Sequence, residues 1–158
     1  MKIVVLKFGG TSVGTIEKIK KVAEIIQNHR KKSYKVIVVS SAMSGVTNEL
    51  IKKSQMISEN FSDSEHDVLV SSGEQIACSL IAGRLIHKGL KARSWLGWQI
   101  PILTKGFYKN SRINLINKKK IIKYLNEGGI PIITGFQGVN DFERITTIGR
   151  GGSDASAI

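Results

Sequence analysis

The chain has 158 residues, 41% of them hydrophobic and 23% charged, with a formal net charge of +12 and one cysteine, Cys78. This is the length of one domain, able to bury about two thirds of its unfolded surface. It excludes an internal disulfide and any apolar run near the roughly 18 residues of a membrane span, and the three histidines His29, His66 and His87 lack metal-ligand spacing.

Residues 2–8 read as a buried strand, with Ile3, Val4, Val5 and Leu6 in succession before Gly9-Gly10. From 15 to 32 the apolar residues Ile16, Ile19, Val22, Ala23 and Ile26 recur every three or four positions, which predicts an amphipathic helix. A second strand over 35–41 runs into the small-residue loop Ser40-Ser41-Ala42-Met43-Ser44-Gly45, and strand, helix, strand at this spacing predicts a parallel βαβ unit. Helices are expected over 46–59 and 65–88, the latter with Gly89 as C-cap. Short strands are expected at 92–96, 100–104 and 112–116, followed by a helix over 117–127 closed by Gly128-Gly129. A strong strand at 130–134 leads into Gly135-Phe136-Gln137-Gly138, read as a glycine loop, and a last short strand covers 145–148. The fold class is α/β, a mainly parallel sheet with helices on both faces. Ligands of such sheets bind outside the carboxyl ends of the strands, where the loops after Phe8, Ser40, Thr134 and Ile148 are expected to converge.

The lysines lie in helix-like segments (Lys18, Lys20, Lys21; Lys118, Lys119, Lys120, Lys123) between core-facing isoleucines, and aromatic residues are 6% of the chain. The charge therefore reads as solvated helix faces, with no nucleic-acid and no membrane partner, and as a surface that attracts anionic nucleotides. Lys2 and Lys7 interrupt the first apolar stretch too early for a signal peptide, so the cytoplasm is the expected compartment.

Two glycine-rich loops carry the chemistry. Lys7-Phe8-Gly9-Gly10-Thr11-Ser12-Val13-Gly14 is neither a Walker A loop, because its lysine precedes the glycines, nor a GxGxxG fingerprint. Glycines without Cβ still let the backbone approach phosphate oxygens, and Lys7 adds a charge for oxygens that become more negative during phosphoryl transfer. The bland alternative is a tight turn. In Gly149-Arg150-Gly151-Gly152-Ser153-Asp154 the arginine can present its fork to a carboxylate, while Gly151 and Gly152 can form an anion-binding nest. Asp154 suits orienting a lysine or holding a metal ion; its bland reading, and that of Ser153, is a helix N-cap.

Glu74, in Ser71-Ser72-Gly73-Glu74-Gln75, is an acid within a largely apolar helical stretch. Buried, it needs a partner such as a substrate ammonium; by periodicity alone it is equally a solvent-facing residue. Thr47 follows a strand-to-loop junction near a helix start, where its hydroxyl suits a ligand carboxylate, with helix capping as the default explanation.

These segments together resemble the aspartokinase branch of the amino-acid kinase family: KFGGTSV at 7–13, VVSSAMSGVTNEL at 38–50, SSGEQ at 71–75, GFQGV at 135–139 and TTIGRGGSD at 146–154, in the family's order. The resemblance implies ATP-dependent phosphorylation of the side-chain carboxylate of L-aspartate to 4-phospho-L-aspartate, the entry step to lysine, threonine and methionine. It implies that Lys7, Gly9 and Gly10 bind the ATP phosphates, with Ser12, Ser40, Gly151 and Gly152 nearby and Mg2+ bridging them. Glu74 takes the aspartate ammonium, Arg150 a carboxylate, and Thr47 and Ser153 add hydroxyl contacts. Asp154 orients the catalytic Lys7. No protein side chain is assigned to a metal.

In the family the catalytic domain continues past the GRGGSD loop into strands that hold the nucleoside, and then into regulatory ACT domains. Residues 1–158 are therefore expected to be an incomplete, C-terminally shortened catalytic domain, with an open sheet edge and an uncovered apolar face. A homo-oligomer is expected for the full-length form. The alternative is a non-catalytic aspartate-binding or assembly module of the same fold; kinase action on glutamate or acetylglutamate fits the SSGEQ and GRGGSD pairing less well.

Overall fold

A computed structural model describes residues 2–149 and 152–158, with Ser153 and Ala155 described by their backbone alone. In chain order the elements are β1 (Ile3–Phe8), α1 (Ile16–Lys31), β2 (Lys35–Ser40), α2 (Val46–Ile57), α3 (Asp63–His87), β3 (Ala92–Trp95), β4 (Ile102–Lys105), β5 (Arg112–Ile116), α4 (Lys119–Asn126), β6 (Ile130–Thr134), β7 (Gln137–Val139), β8 (Ile145–Thr147) and α5 (Gly152–Ala155).

The expected parallel sheet has the order β1-β2-β6-β3. Its register aligns the strand ends: Phe8 faces Ser40, Ser40 faces Thr134, and Trp95 faces Ile133. The loops leaving these strands are stitched together, Ser41 N donating to Phe8 O at 3.0 Å and Gly135 N to Ser40 O at 2.9 Å. Convergence of the loops after Phe8, Ser40 and Thr134 on one edge is therefore observed.

Helices cover both faces. Val22, Ala23 and Ile26 of α1 and Ala77, Ile81 and Leu85 of α3 pack on Phe8, Val36, Val38, Ile130 and Ile132. On the opposite face Ile121 of α4, with Trp95, Ile100 and Ile102, covers Val39 and Ile133. Alternation along β1 puts Val4, Leu6 and Phe8 toward the first core and Ile3, Val5 and Lys7 on the second face. That second face is incompletely covered at β1: Val5 is 42% exposed and lines a groove of about 420 Å³ with Ile37, Leu115 and Ile158. An uncovered apolar face, as expected from the sequence, is thus present at β1 among the described residues.

Beside this mainly parallel sheet lies a second one, β5-β4-β7-β8, that the sequence reading did not separate: β4 and β7 run parallel, while the β4/β5 and β7/β8 pairs are antiparallel. Short connections explain this, because a hairpin needs few residues whereas a parallel pair needs a crossover. The segment read as a glycine loop at 135–138 contains part of strand β7, and Gln137 within it is buried. Gly138 is what the pairing requires there, since a Cβ would meet Ile102 O at 2.6 Å.

Helix ends follow the sequence signals closely. Thr15 caps α1, its Oγ1 accepting from Lys18 N. Gly89 ends α3 at φ +77°, with Leu90 N donating to Leu85 O at 3.0 Å, the Schellman pattern. At its other end α3 carries Asp63 and Glu65, favourable beside a helix N-terminus, and these pair with Lys109 and Arg144 of the second sheet's connections.

Candidate active site

Lys7 leaves the end of β1 with its ammonium beside Gly9, where a Cβ would stand 3.7 Å from Nζ. Nζ pairs with Asp154 Oδ1 at 2.8 Å, the side chains being 31% and 65% exposed. The two residues given catalytic roles on resemblance, 147 positions apart in sequence, are thus brought into contact, and the ammonium remains open to solvent.

Gly10 makes the loop possible for a different reason from the phosphate approach argued above. A Cβ there would meet Ala42 O at 2.9 Å, and Ser44 N donates to Gly10 O at 3.2 Å. The Lys7 loop and the loop after β2 are therefore joined backbone to backbone. Ser12 turns the chain, its N–H donating to Gly9 O at 2.9 Å, and its side chain is exposed. Ser40 is fully buried and its hydroxyl donates to Ser41 O at 3.0 Å; its part is to hold the loop rather than to face a ligand.

Glu74 is buried, 3% exposed, so the solvent-facing alternative is removed. Oε1 accepts from Ala42 N at 3.2 Å, and Oε2, buried too, has no hydrogen-bond partner among the described residues. Burial pushes its carboxyl up to about 7, against the opposing pull of its own backbone N–H and that of Ala42. Gly73 allows this placement: a Cβ on it would stand 2.9 Å from Ala42 Cβ and 3.2 Å from Val46 Cγ1, so only glycine lets the Ala42 loop settle on α3. Ala42 then faces both parts of the site, its N–H toward Glu74 and its carbonyl toward Gly10.

Next to Glu74 on the helix, burial and then the Glu74 charge push the Cys78 thiol up, leaving an inert cysteine. Thr47 lies in the first turn of α2, half-buried, and is not the cap: that position is Gly45, at φ +85°, with no side-chain cap bond. Arg150 and Gly151 lie outside the described residues, as does the side chain of Ser153. Gly152 begins α5, so Ser153 and Asp154 lie within that helix and not at its N-cap, and the Gly152 N–H donates to Gly149 O at 2.8 Å.

Among the buried polar residues that the sequence reading did not single out are Gln137 and Asp67. Gln137 donates from Nε2 to Ser71 O at 3.0 Å and accepts from Gly97 N at 3.2 Å. Asp67, fully buried, accepts from Thr147 N at 2.7 Å and from Lys109 N. The signal available for Asp67 was its spacing of seven from Glu74, which puts both acids on one face of a helix otherwise rich in apolar residues. Among the described residues no group of three or more His, Cys, Asp or Glu side chains is arranged to hold a metal ion, and no helix is long and apolar enough to cross a membrane.

Comparison with known proteins places this arrangement. The model of the amino acid kinase family matches residues 2–158. The chain is 46% identical over 160 residues to the aspartokinase of Rickettsia conorii, covering 99% of this chain and 40% of that protein. It is 47% identical over 158 residues to the aspartokinase of Geobacillus stearothermophilus, covering 100% of this chain and 39% of that one. The chain thus spans about two fifths of the length of these curated relatives. Among solved structures, the aspartate kinase of Synechocystis superposes with a TM-score of 0.82 at 37% identity, over 99% of this chain and 26% of that one. Escherichia coli aspartokinase III in complex with aspartate and ADP shares the fold, with a TM-score of 0.80 at 23% identity over 98% of this chain and 45% of that one. With its αβα architecture, its motifs and its whole described length in agreement, the chain belongs to the amino acid kinase family.

Proposed function

We propose that this chain forms the acceptor-binding part of an aspartate kinase, which transfers the γ-phosphoryl of ATP to the side-chain carboxylate of L-aspartate. The observation that carries the reading is the two-sided contact of Ala42, which joins the loop of an exposed, carboxylate-paired lysine to the helix that carries a buried carboxylate, one of whose oxygens has no partner among the described residues. A substrate that brings an ammonium satisfies Glu74, and one that brings phosphates satisfies Lys7. The relatives named as aspartokinases, and the aspartate and ADP of the Escherichia coli complex, support the same pair of ligands.

In this reading Glu74 takes the α-ammonium as a carboxylate, and Arg150, with the hydroxyls of Thr47 and Ser153, meets the carboxylates of the amino acid. The side-chain carboxylate is already ionised at neutral pH, so it attacks the γ-phosphorus without a general base, forming a P–O bond as the bond to the ADP oxygen breaks. Lys7 offsets the charge on the transferring oxygens, and Asp154 holds its ammonium in place. Gly9, Gly10, Ser12, Gly151 and Gly152 shape the phosphate side. Asp154 is engaged by Lys7, and Mg2+ would accompany the nucleotide and offset phosphate charge on this side of the site.

Residues 1–158 on this reading are part of a catalytic domain whose nucleoside-binding strands and regulatory ACT domains belong to a longer form. That form is a cytoplasmic homo-oligomer at the entry to lysine, threonine and methionine synthesis. Trapping aspartyl phosphate with hydroxylamine in the full-length form tests the activity: signal dependent on aspartate and ATP, lost in Arg150→Ala and Glu74→Ala, is expected. Full activity in both variants refutes the site. Calorimetry on the 158 residues, with aspartate and separately with a magnesium nucleotide, tests the division of labour, aspartate binding being expected to persist.

A further inference from the structure

We propose that Ala42 is a positioning residue that couples the two halves of the site, so that an ammonium on Glu74 tightens the grip of the Lys7 loop on phosphates, and phosphates there tighten the grip of Glu74 on the ammonium. The proposal rests on the reading of Glu74 and Lys7 given above. The loop that carries Ala42 lies between α3 and the Lys7 loop and touches both. On one side Ala42, itself buried, donates its N–H to Glu74 Oε1 at 3.2 Å, and its Cβ lies 2.9 Å from where a Cβ on Gly73 would stand. On the other side its carbonyl oxygen closes on Gly10, where a Cβ would meet it at 2.9 Å. Ser44, two residues on, donates its N–H to Gly10 O at 3.2 Å, and a Cβ on Gly14 would be 3.2 Å from Ser44 Cβ. Ser41 N extends the seam to Phe8 O at 3.0 Å.

Glu74 has two states that this seam feels differently. Oε2 is buried without a partner among the described residues. In the absence of a ligand, burial favours the protonated carboxyl, a weak acceptor for the Ala42 N–H; an ammonium on Oε2 holds the carboxylate, a strong one. A bond from N–H to a charged acceptor closes to about 2.7–2.9 Å, so the observed 3.2 Å leaves a few tenths of an ångström to be taken up when the ammonium arrives. Gly10 cannot stay behind, because it is packed against Ala42 O and bonded to Ser44 N. A loop ordered by one ligand costs less to order for the next, and the effect is equal in both directions by linkage.

Calorimetry on the full-length form tests the coupling with the unreactive pair L-aspartate and magnesium ADP. Aspartate is expected to bind about fivefold tighter when magnesium ADP is present, and magnesium ADP to tighten by the same factor when aspartate is present. Ala42→Gly removes the Cβ seated on Gly73 and loosens the loop while keeping both backbone groups; the factor is expected to fall below about twofold. Hydrogen exchange by mass spectrometry separates the coupling from direct contact between the ligands: aspartate alone is expected to slow exchange by about threefold at residues 9–14 as well as at 41–45. That measurement, made on the unsubstituted protein, carries the test if Ala42→Gly does not fold. Independent binding of the two ligands overturns the proposal, as does protection by aspartate that stops at 41–45. An Ala42→Gly variant that binds each ligand more weakly but keeps the wild-type factor shows a merely structural role and overturns it as well. Wild-type protein that binds no aspartate, or Glu74→Gln that binds it as tightly as wild type, refutes the substrate reading itself, and the coupling falls with it.

Discussion

Replacing Glu74 by glutamine should make the protein more stable above neutral pH and leave it nearly unchanged in mild acid. In the folded state the carboxyl is pushed up by burial from its ordinary 4.5 to about 7. The folded protein therefore holds a proton between these values that the unfolded chain releases. Stability from this group is fully present below pH 4.5, falls as pH rises, and is lost above about pH 7. At about 1.4 kcal/mol per pH unit, the interval amounts to about 3 kcal/mol. Glutamine has no proton to lose, so the difference between Glu74→Gln and wild type in urea unfolding should grow by up to about 3 kcal/mol between pH 5 and pH 8. The prediction rests on Oε2 having no partner among the described residues. A difference that stays flat across that range would mean the carboxylate has a compensating cation in the unliganded protein, and the ammonium-binding argument would lose its basis.

The same protonation couples to substrate: aspartate should bind with proton release below pH 7, its affinity weakening by about tenfold per pH unit toward pH 5, seen by calorimetry in buffers of different ionisation enthalpy. Constant affinity between pH 5 and 8 contradicts it. Lys7→Met breaks a half-exposed ion pair, so unfolding free energy should change by less than about 1 kcal/mol, while kcat of the full-length form falls by about 10²–10³; a loss confined to KM argues against a transition-state role. Gly73→Ala forces a Cβ to 2.9 Å from Ala42 Cβ and should cost about 1–3 kcal/mol of packing, more than the helix propensity alanine returns, lowering the melting temperature by about 2–4 °C per kcal/mol. An unchanged or raised melting temperature counts against the close-approach account.

Much of this was legible locally. The three- and four-residue recurrence of Ile19, Val22, Ala23 and Ile26, with the glycines ending β1, places the first βαβ unit within a residue or two, and Gly89 marks the end of α3. What periodicity could not show was pairing at a distance. Residues 137–139 form a strand because β8 lies beside them, and three residues with Gly138 at their centre carry no strand signal of their own. Glu74 had two faces open to it by spacing; only the close approach permitted by Gly73 decided that it is buried. Gly10 was assigned to ligand approach from its composition, whereas its nearest constraint is the Ala42 carbonyl. Asp67 went unnoticed because its donors lie 42 and 80 residues downstream.

The strand order β1-β2-β6-β3 has a kinetic consequence. β6 fills the gap between two strands that are both made before it, about 90 residues after β2 has left the ribosome. At about 5–20 residues per second, Val36, Ile37, Val38 and Val39 wait roughly 5–20 s with one edge unpaired. During that interval the nascent chain can hold the β1/β2 pair, its helices and later the β4/β5 hairpin, but not the completed central sheet, and contacts of such sequence separation close slowly. Arrival of Ile130–Thr134 then completes the sheet and aligns the loop-bearing strand ends in one event. Folding of the central sheet and assembly of its ligand-binding edge are therefore the same step, and a slow folder will be exposed to aggregation at the moment its site is still absent.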